Sequence, residues 1–466
     1  MENDEKYRRM KGNFLNSDRK HILMITNHGI HQWDVITSLP DTGGQNVYVN
    51  QLTDVLKDFG YKITVVNRGG YPHPQTGEIR RGYRYKNSCQ RIYYVEDNTQ
   101  EFVRKEDMKE HIPELAAALY RSFNDEQMPV DMIMSHYWDA GLMGVLLNKK
   151  FTFSVPHLWV PHSLGAIKKR NMPPETWESL RVDERISTEK EFINDLDYIA
   201  ATSSLIRESL QNDYGREMCL FLPPCVDPQR FYPRNISADH EIWDFLAGSS
   251  ATSKESLRRT RFITEISRTD QTKRKDVLIK AFAEVKKKHP ETMLLVSIEK
   301  SEEKLFRELT SLMDELKVRD SVILLGHESA RLPYLYALTS VYCSPSVMEG
   351  FGMAVQEAAA TAVPIVGSDK IPFVEEYLLD GEVQEIPIRN IDSQHQSESV
   401  LKVGAGGIVV PSDSVEGFTQ ALNYLLEEEE LRRAMGLRAL DITVPYFTWE
   451  QMTRRMLDTI EAGDNG

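Results

Sequence analysis

The sequence predicts an α/β protein made of two Rossmann-like, doubly wound domains facing a cleft. Three observations predict it. Short apolar runs recur along the chain and read as buried parallel strands. Stretches with helical spacing separate them, and such alternation builds parallel sheets covered by helices. The alternation also comes as two series, divided by a polar, Ser-rich stretch around Gly248-Ser249-Ser250. At 466 residues the chain exceeds one ordinary core.

The elements follow in order. Residues 1–20 are charged and polar, without an apolar leader, and read as an N-terminal tail. A first domain spans 21–235. Its strands are His21 to Thr26, Lys62 to Asn67, Arg91 to Val95, Asp131 to Ser135, His157 to Pro161, Tyr198 to Thr202 and Cys219 to Leu222. Asn46 to Phe59 has helical spacing through Val47, Leu52, Val55, Leu56 and Phe59 and stops at Gly60, a residue suited to a helix end. Further helices are expected from Glu114 to Phe123 and from Arg185 to Leu196, and Pro223-Pro224 ends the series. Residues 236–260 read as a linker with a short helix near Ile242 to Leu246. A second domain spans 261–445, with strands at Phe262 to Ile266, Met293 to Ile298, Val322 to Leu325, Val341 to Ser344, Pro364 to Gly367 and Gly407 to Val410. Its helices are Asp276 to Lys288, Glu303 to Leu316, Leu332 to Leu338, Met353 to Ala360 and Val415 to Glu428. Residues 380–403 lack a clear period and read as a surface insertion. The segment 446–466 carries an amphipathic helix through Trp449, Met452, Met456, Leu457 and Ile460.

A formal net charge of −14 argues against nucleic-acid and anionic-membrane partners. No apolar run is long enough to span a bilayer. Cys89, Cys219, Cys225 and Cys343 form no C-x-x-C pair, so a zinc site is not indicated, and they read as reduced thiols of a cytoplasmic protein.

Four groups of residues carry chemistry. Glu349 and Glu357 flank the turn Gly350-Phe351-Gly352, between a strand and a helix, where open α/β sheets bind ligands. Arg268 and Lys273 follow the strand Phe262 to Ile266, and two cations at a strand's carboxyl end suit a diphosphate. Asp41-Thr42-Gly43-Gly44-Gln45 opens the first helix, and paired glycines let a backbone approach an anion. It is not G-x-G-x-x-G, so no nicotinamide site is indicated, and Gly404 to Gly407 precedes a strand and reads as a plain turn. His136 and His162 close neighbouring strands, placed for hydrogen bonding or proton transfer.

Taken together and in this order, these motifs resemble the retaining glycosyltransferases of GT-B architecture, the family 4 enzymes that include sucrose-phosphate synthase and sucrose synthase. The matching segments are Asp41 to Val49, Ser135 to Leu142, His162 to Gly165, Pro223 to Asp227, Ser267 to Gln271 with Lys273, and Glu349 to Glu357. The resemblance implies a nucleotide-diphosphate sugar in the C-terminal domain. Arg268 and Lys273 would bind its phosphates and Glu357 its ribose. Glu349 with the backbone of Gly350, Phe351 and Gly352 would hold the donor sugar. Gly43 and Gly44 would face the diphosphate, and His162 the reacting carbon. His162, Arg268, Lys273 and Glu349 are thus the expected catalytic set, and the final helix would cross back to the N-terminal domain.

The acceptor would lie on Gln45, His136, Asp139, Lys168 and Arg185. The loop after Val95 begins acidic, Glu96-Asp97, with Arg104 and Lys105 able to substitute for a basic residue if it turns inward. The expected activity is retaining transfer of a hexose, glucose first, from a nucleotide sugar to a small sugar, sugar-phosphate or polyol. A nucleotide-sugar epimerase of the same fold stays open, as does an unphosphorylated acceptor. No cofactor and no essential metal are expected, because fixed cations can stabilise the leaving diphosphate, and no Asp-x-Asp motif marks a metal site. Base, sugar, acceptor and oligomeric state are not fixed by the sequence.

Overall fold

The computed structural model describes residues 2–36, 39–151, 153–326, 330–389 and 399–464. It divides into two compact units, Met1–Pro223 with Met452–Gly466, and Pro224–Gln451.

The first unit is built on an eight-stranded sheet. Its strands are β1 (His21–Ile25), β2 (Lys62–Arg68), β3 (Gly82–Tyr85), β4 (Gln90–Val95), β5 (Met132–His136), β6 (His157–Val160), β7 (Tyr198–Ala201) and β8 (Leu220–Phe221). The order is β3-β4-β2-β1-β5-β6-β7-β8, parallel except for β3 against β4. Every residue of β1, β2, β5 and β6 is buried, as the apolar runs require for strands covered on both faces. The polar N-terminus is not a tail. It forms a helix, Glu2–Leu15, whose Phe14 is fully buried against Leu23, Phe123 and their neighbours.

The second unit carries β9 (Arg261–Glu265), β10 (Thr292–Ser297), β11 (Val322–Leu325), β12 (Thr339–Ser344), β13 (Ile365–Ser368), β14 (Gln384–Pro387), β15 (Val400–Val403) and β16 (Gly407–Val410). Their order is β11-β10-β9-β12-β13-β16-β15-β14. Strands β9 to β13 and β16 pair in parallel. The stretch read as a surface insertion instead supplies β14 and β15, an antiparallel extension of the sheet edge, with 390–398 outside the described residues. The expected linker 236–260 belongs to this unit. Its Ile242, Trp243, Leu246 and Leu257 are buried with Phe262, Leu295 and Ile323, so the domain starts at Pro224 rather than after the polar stretch. The last helix, Trp449–Asp464, is counted with the first unit from Met452 onward.

Both sheets reverse strand order beside their first strand: β1 lies between β2 and β5, and β9 between β10 and β12. The carboxyl ends of those strands are the natural ligand crevices of such sheets.

Candidate functional site

In the second unit, the loops after β9 and β12 meet at the switch point. The amide of Val347 donates to the carbonyl of Thr272 at 2.8 Å, and Ser346 Oγ donates to the same oxygen at 3.2 Å. Asp270 caps the turn Gln271–Lys273 by accepting from the Thr272 amide. This stitching brings Lys273 Nζ to 2.5 Å from Glu349 Oε1. The Lys273 side chain is 9% exposed and that of Glu349 21%, so the pair sits at a partly covered surface. Arg268 is far more open, at 58%, and its nearest carboxylate, Asp270, is 3.7 Å away.

The root of this loop is fixed by Lys275, which is buried. Its ammonium donates to the carbonyls of Ser267 and Ser297 and pairs with Glu265 at 2.9 Å. Burial lowers its pKa, and Glu265 opposes the shift.

Glu357 lies on the helix Met353–Ala359 and accepts a hydrogen bond from Tyr336 Oη at 3.1 Å. Burial raises its pKa to about 7, although Arg230 and Tyr336 pull the other way. Gly352 precedes that helix with φ 116°, where an added Cβ would stand 2.8 Å from Ile371 Cγ2, so only glycine fits without strain. Gly350 is exposed. The Phe351 ring is buried against Phe373, Tyr377 and Phe447, so its side chain does not face a ligand and only its backbone is available.

In the first unit, His136 ends β5, and His162 follows β6 in the left-handed region at φ 53°. His136 Nδ1 and His162 Nε2 are 2.9 Å apart and the rings stack at 5.2 Å. Burial lowers both pKa values, with His28 adding to the shift on His162, which falls to about 3. The two rings therefore share one hydrogen bond as neutral imidazoles. Tyr48 sets its ring edge-on against His162 and donates to the carbonyl of Leu222.

Asp139, expected among the acceptor groups, is fully buried and consumed by His28, accepting from its amide at 3.2 Å and from its Nδ1 at 3.0 Å. It is an anchor for the loop after β1. Gln45 Nε2 donates to Thr26 Oγ1, and the Gly43 amide is taken by Asn46 Oδ1 at 2.9 Å. The Gly43 amide is thus already spent inside the loop. Gly44 begins the helix Gly44–Asp58.

A cavity of about 250 Å³ opens beside these groups, lined by Lys105, Glu106, Tyr137, Lys168, Arg181 and Arg185 among others. Lys105 reaches it because Asp41, 64 residues away in the chain, accepts from its amide at 3.0 Å and pairs with its ammonium. Burial disfavours the charge on Lys105, but Asp41 outweighs that and raises its pKa. Lys168 donates to Glu106 at 3.3 Å, and its pKa is lowered by burial, with Arg185 and Lys105 contributing against Glu106. Arg185 is a scaffold: its guanidinium holds Glu189, Tyr137 Oη and the carbonyl of Ser163. Sequence reasoning named Lys168 and Arg185 and allowed Lys105, but missed Arg181 and Tyr137. The basic run Lys168-Lys169-Arg170 gave no sign of which cations turn inward.

Among the described residues, no group of three or more His, Cys, Asp or Glu is set to hold a metal ion, and no helix is long and apolar enough to cross a membrane.

A family model for glycosyl transferases group 1 matches residues 251–441, and one for Glycosyltransferase Family 4 matches residues 42–230. Mannosylfructose-phosphate synthase of Agrobacterium fabrum is 28% identical over 364 residues, covering 74% of this chain and 75% of that protein. D-inositol 3-phosphate glycosyltransferase of Corynebacterium jeikeium is 25% identical over 410 residues, covering 85% and 86%. Sucrose-phosphate synthase from Thermosynechococcus elongatus superposes with a TM-score of 0.72 at 20% identity, over 95% of this chain and 99% of that one, and shows the shared GT-B fold.

Proposed function

We propose that this chain is a glycosyltransferase that moves a hexose, with retention, from a nucleotide-diphosphate sugar to a small phosphorylated sugar or polyol, a reading supported by the two glycosyltransferase family models that it matches. The observation that carries the choice of acceptor is the cavity of the first unit. Four cations, Lys105, Lys168, Arg181 and Arg185, line it with Glu106 and Glu184, while Asp41 and Glu189 pair with Lys105 and Arg185. A phosphate monoester carries a charge of about −1.5 to −2 at neutral pH and accepts charge-assisted hydrogen bonds from such groups. The relatives described above are named for phosphorylated products or acceptors, which supports the same choice.

On this reading the donor lies at the switch point of the second unit. Breaking the anomeric bond develops negative charge on the leaving diphosphate, and Lys273 and Arg268 meet it. The step then needs no divalent ion. Glu349 orients Lys273 and accepts from donor-sugar hydroxyls, as a binding group rather than a nucleophile. Glu357 accepts from the ribose. The leaving phosphate takes the acceptor's proton on the front face, which gives retention without a covalent intermediate. The His136–His162 pair, neutral at working pH, offers a hydrogen bond to the sugar without adding charge beside an oxocarbenium-like centre.

The test is nucleotide release from UDP-glucose, GDP-glucose, ADP-glucose and GDP-mannose against fructose 6-phosphate, inositol 3-phosphate and their unphosphorylated forms. Release is expected only with a phosphorylated acceptor. Lys168→Ala and Arg181→Ala are each expected to raise KM for it by about 10-fold or more, the worth of one charge-assisted hydrogen bond. Equal turnover of fructose and fructose 6-phosphate would remove the cavity from acceptor binding.

A further inference from the structure

A second cavity in the first unit, of about 220 Å³, is lined by Arg68, Gly69, Tyr71, His73, Arg80 and Tyr94, among others. None of these residues is used by the proposed reaction. The segment 72–79 folds back on itself through the Pro72–Ile79 bridge and a hydrogen bond from the His73 amide to the carbonyl of Glu78, and this tucks the His73 ring inward to 3% exposure. Its Nδ1 faces the amides of Gln75 and Thr76, each at 3.3 Å. Both amides donate, so Nδ1 is the bare nitrogen and the ring proton stands on Nε2. That Nε2 is buried and meets no hydrogen-bond partner.

Arg80 shows the same pattern. Its Nη2 donates to Gln32 Oε1 at 2.6 Å, its Nε stands 4.0 Å from Glu78, and its Nη1 is buried without a partner. Arg68, by contrast, is neutralised: its guanidinium is forked onto Asp97 at 2.8 Å and also holds the carbonyls of Thr99 and Glu101. An orphaned buried N–H is rare and costs about 1–3 kcal/mol. Two that line one cavity, one of them cationic, call for a shared acceptor.

We propose that this cavity is a binding site for a small oxyanion, held by His73 Nε2–H and Arg80 Nη1–H and flanked by the rings of Tyr71 and Tyr94. Two N–H donors between two aromatic rings suit a small anionic group and not a sugar nucleotide. Its occupancy bears on the first cavity through one side chain. Arg68 lines this site and at the same time holds the loop 97–101, which leads into Lys105.

Crystals of the full chain soaked in sodium selenate, with data collected at the selenium edge, locate the anion directly. An anomalous peak within hydrogen-bond reach of both His73 Nε2 and Arg80 Nη1 is expected, and is expected to vanish in Arg80→Gln crystals. In solution, protein labelled with ¹⁵N at histidine should show the His73 Nε2–H resonance, assigned through its loss in His73→Phe. It should shift saturably with selenate in the wild type, with an affinity at least about 10-fold weaker in Arg80→Gln, matching the loss of a hydrogen bond from a charged group. Competition by acetate would make the ligand a carboxylate, and its failure a tetrahedral oxyanion. A water in place of the peak, selenate only beside Lys168 and Arg181, or a His73 proton found on Nδ1 would each overturn the proposal. None of these readouts depends on transferase activity.

Discussion

Replacing Lys273 with Met removes one charge while keeping most of the side chain's bulk. A unit charge 4 Å from a developing phosphate charge contributes about 4 kcal/mol at an effective dielectric of about 20. Lys273 is 9% exposed, so solvent screens it less than a surface lysine. Glu349, at 2.5 Å, already draws on part of that charge. The remainder corresponds to a loss of turnover of about 10²- to 10³-fold, in the range found when one preorganised transition-state donor is removed. The assay is nucleotide release at saturating donor and acceptor for Lys273→Met, Glu349→Gln and the double variant. The single lysine variant is expected to lose turnover with a smaller change in donor KM. The double variant is expected not to recover, because the leaving group still lacks its cation. Turnover within about threefold of wild type, or recovery in the double variant, would refute the reasoning and reduce the pair to an internal structural bridge.

Two pH dependences follow from burial. The folded pKa of Glu357 is raised from 4.5 to about 7, so its proton is kept in the folded state and the group costs stability as pH rises from 4.5 through 7. A ribose hydroxyl needs the carboxylate, so nucleotide affinity should fall below about pH 7, by up to about tenfold per pH unit, and Glu357→Gln should flatten the profile. Calorimetric titrations showing equal affinity at about pH 8 and about pH 5.5 would separate Glu357 from the nucleotide. The opposite sign holds for the buried histidines. His21 and His157 are lowered to about 3 and His31 to about 4, chiefly by burial, so they contribute stability above the unfolded value of 6.5 that is lost as pH falls toward those values. Urea midpoints should drop between about pH 7 and pH 5, with up to about 1.4 kcal/mol per pH unit for each histidine. A constant midpoint would mean these rings titrate alike in the folded and unfolded protein.

What the sequence made legible tracks how local the determining physics is. The strands β1, β2, β5 and β10 were readable because burial on both faces forces an apolar run. Lys273 and Glu349 stood out because both sit a few residues beyond such strands, and at the sheet's switch point their side chains do meet. The helix Tyr137–Lys150 was missed because it starts directly after β5 and is apolar around most of its surface, with Leu142, Met143, Val145 and Leu147 giving no clear stripe. Phe14 was hidden in a charged segment, where one buried ring secures a helix that composition alone reads as a tail. Strand β14 was missed because it is a mostly exposed edge strand, and β15 because its alternation of half-buried and buried residues runs over only four positions. The inward turn of Lys105 depends on Asp41, a pairing across 64 residues that no local pattern announces. Asp139 shows the converse: the family resemblance put it among the acceptor groups, but His28, far away in sequence, holds its carboxylate.

The return of Met452–Gly466 to the first unit has a consequence for how such a protein can be altered. Seen along the gene, the second unit is a cassette inserted near the end of the first, bounded by Pro224 and Gln451. A chimera that exchanges the second unit therefore needs two junctions, one on each side of the cassette. A nonsense mutation inside the second unit would also strip the first unit of its terminal helix, leaving neither unit whole.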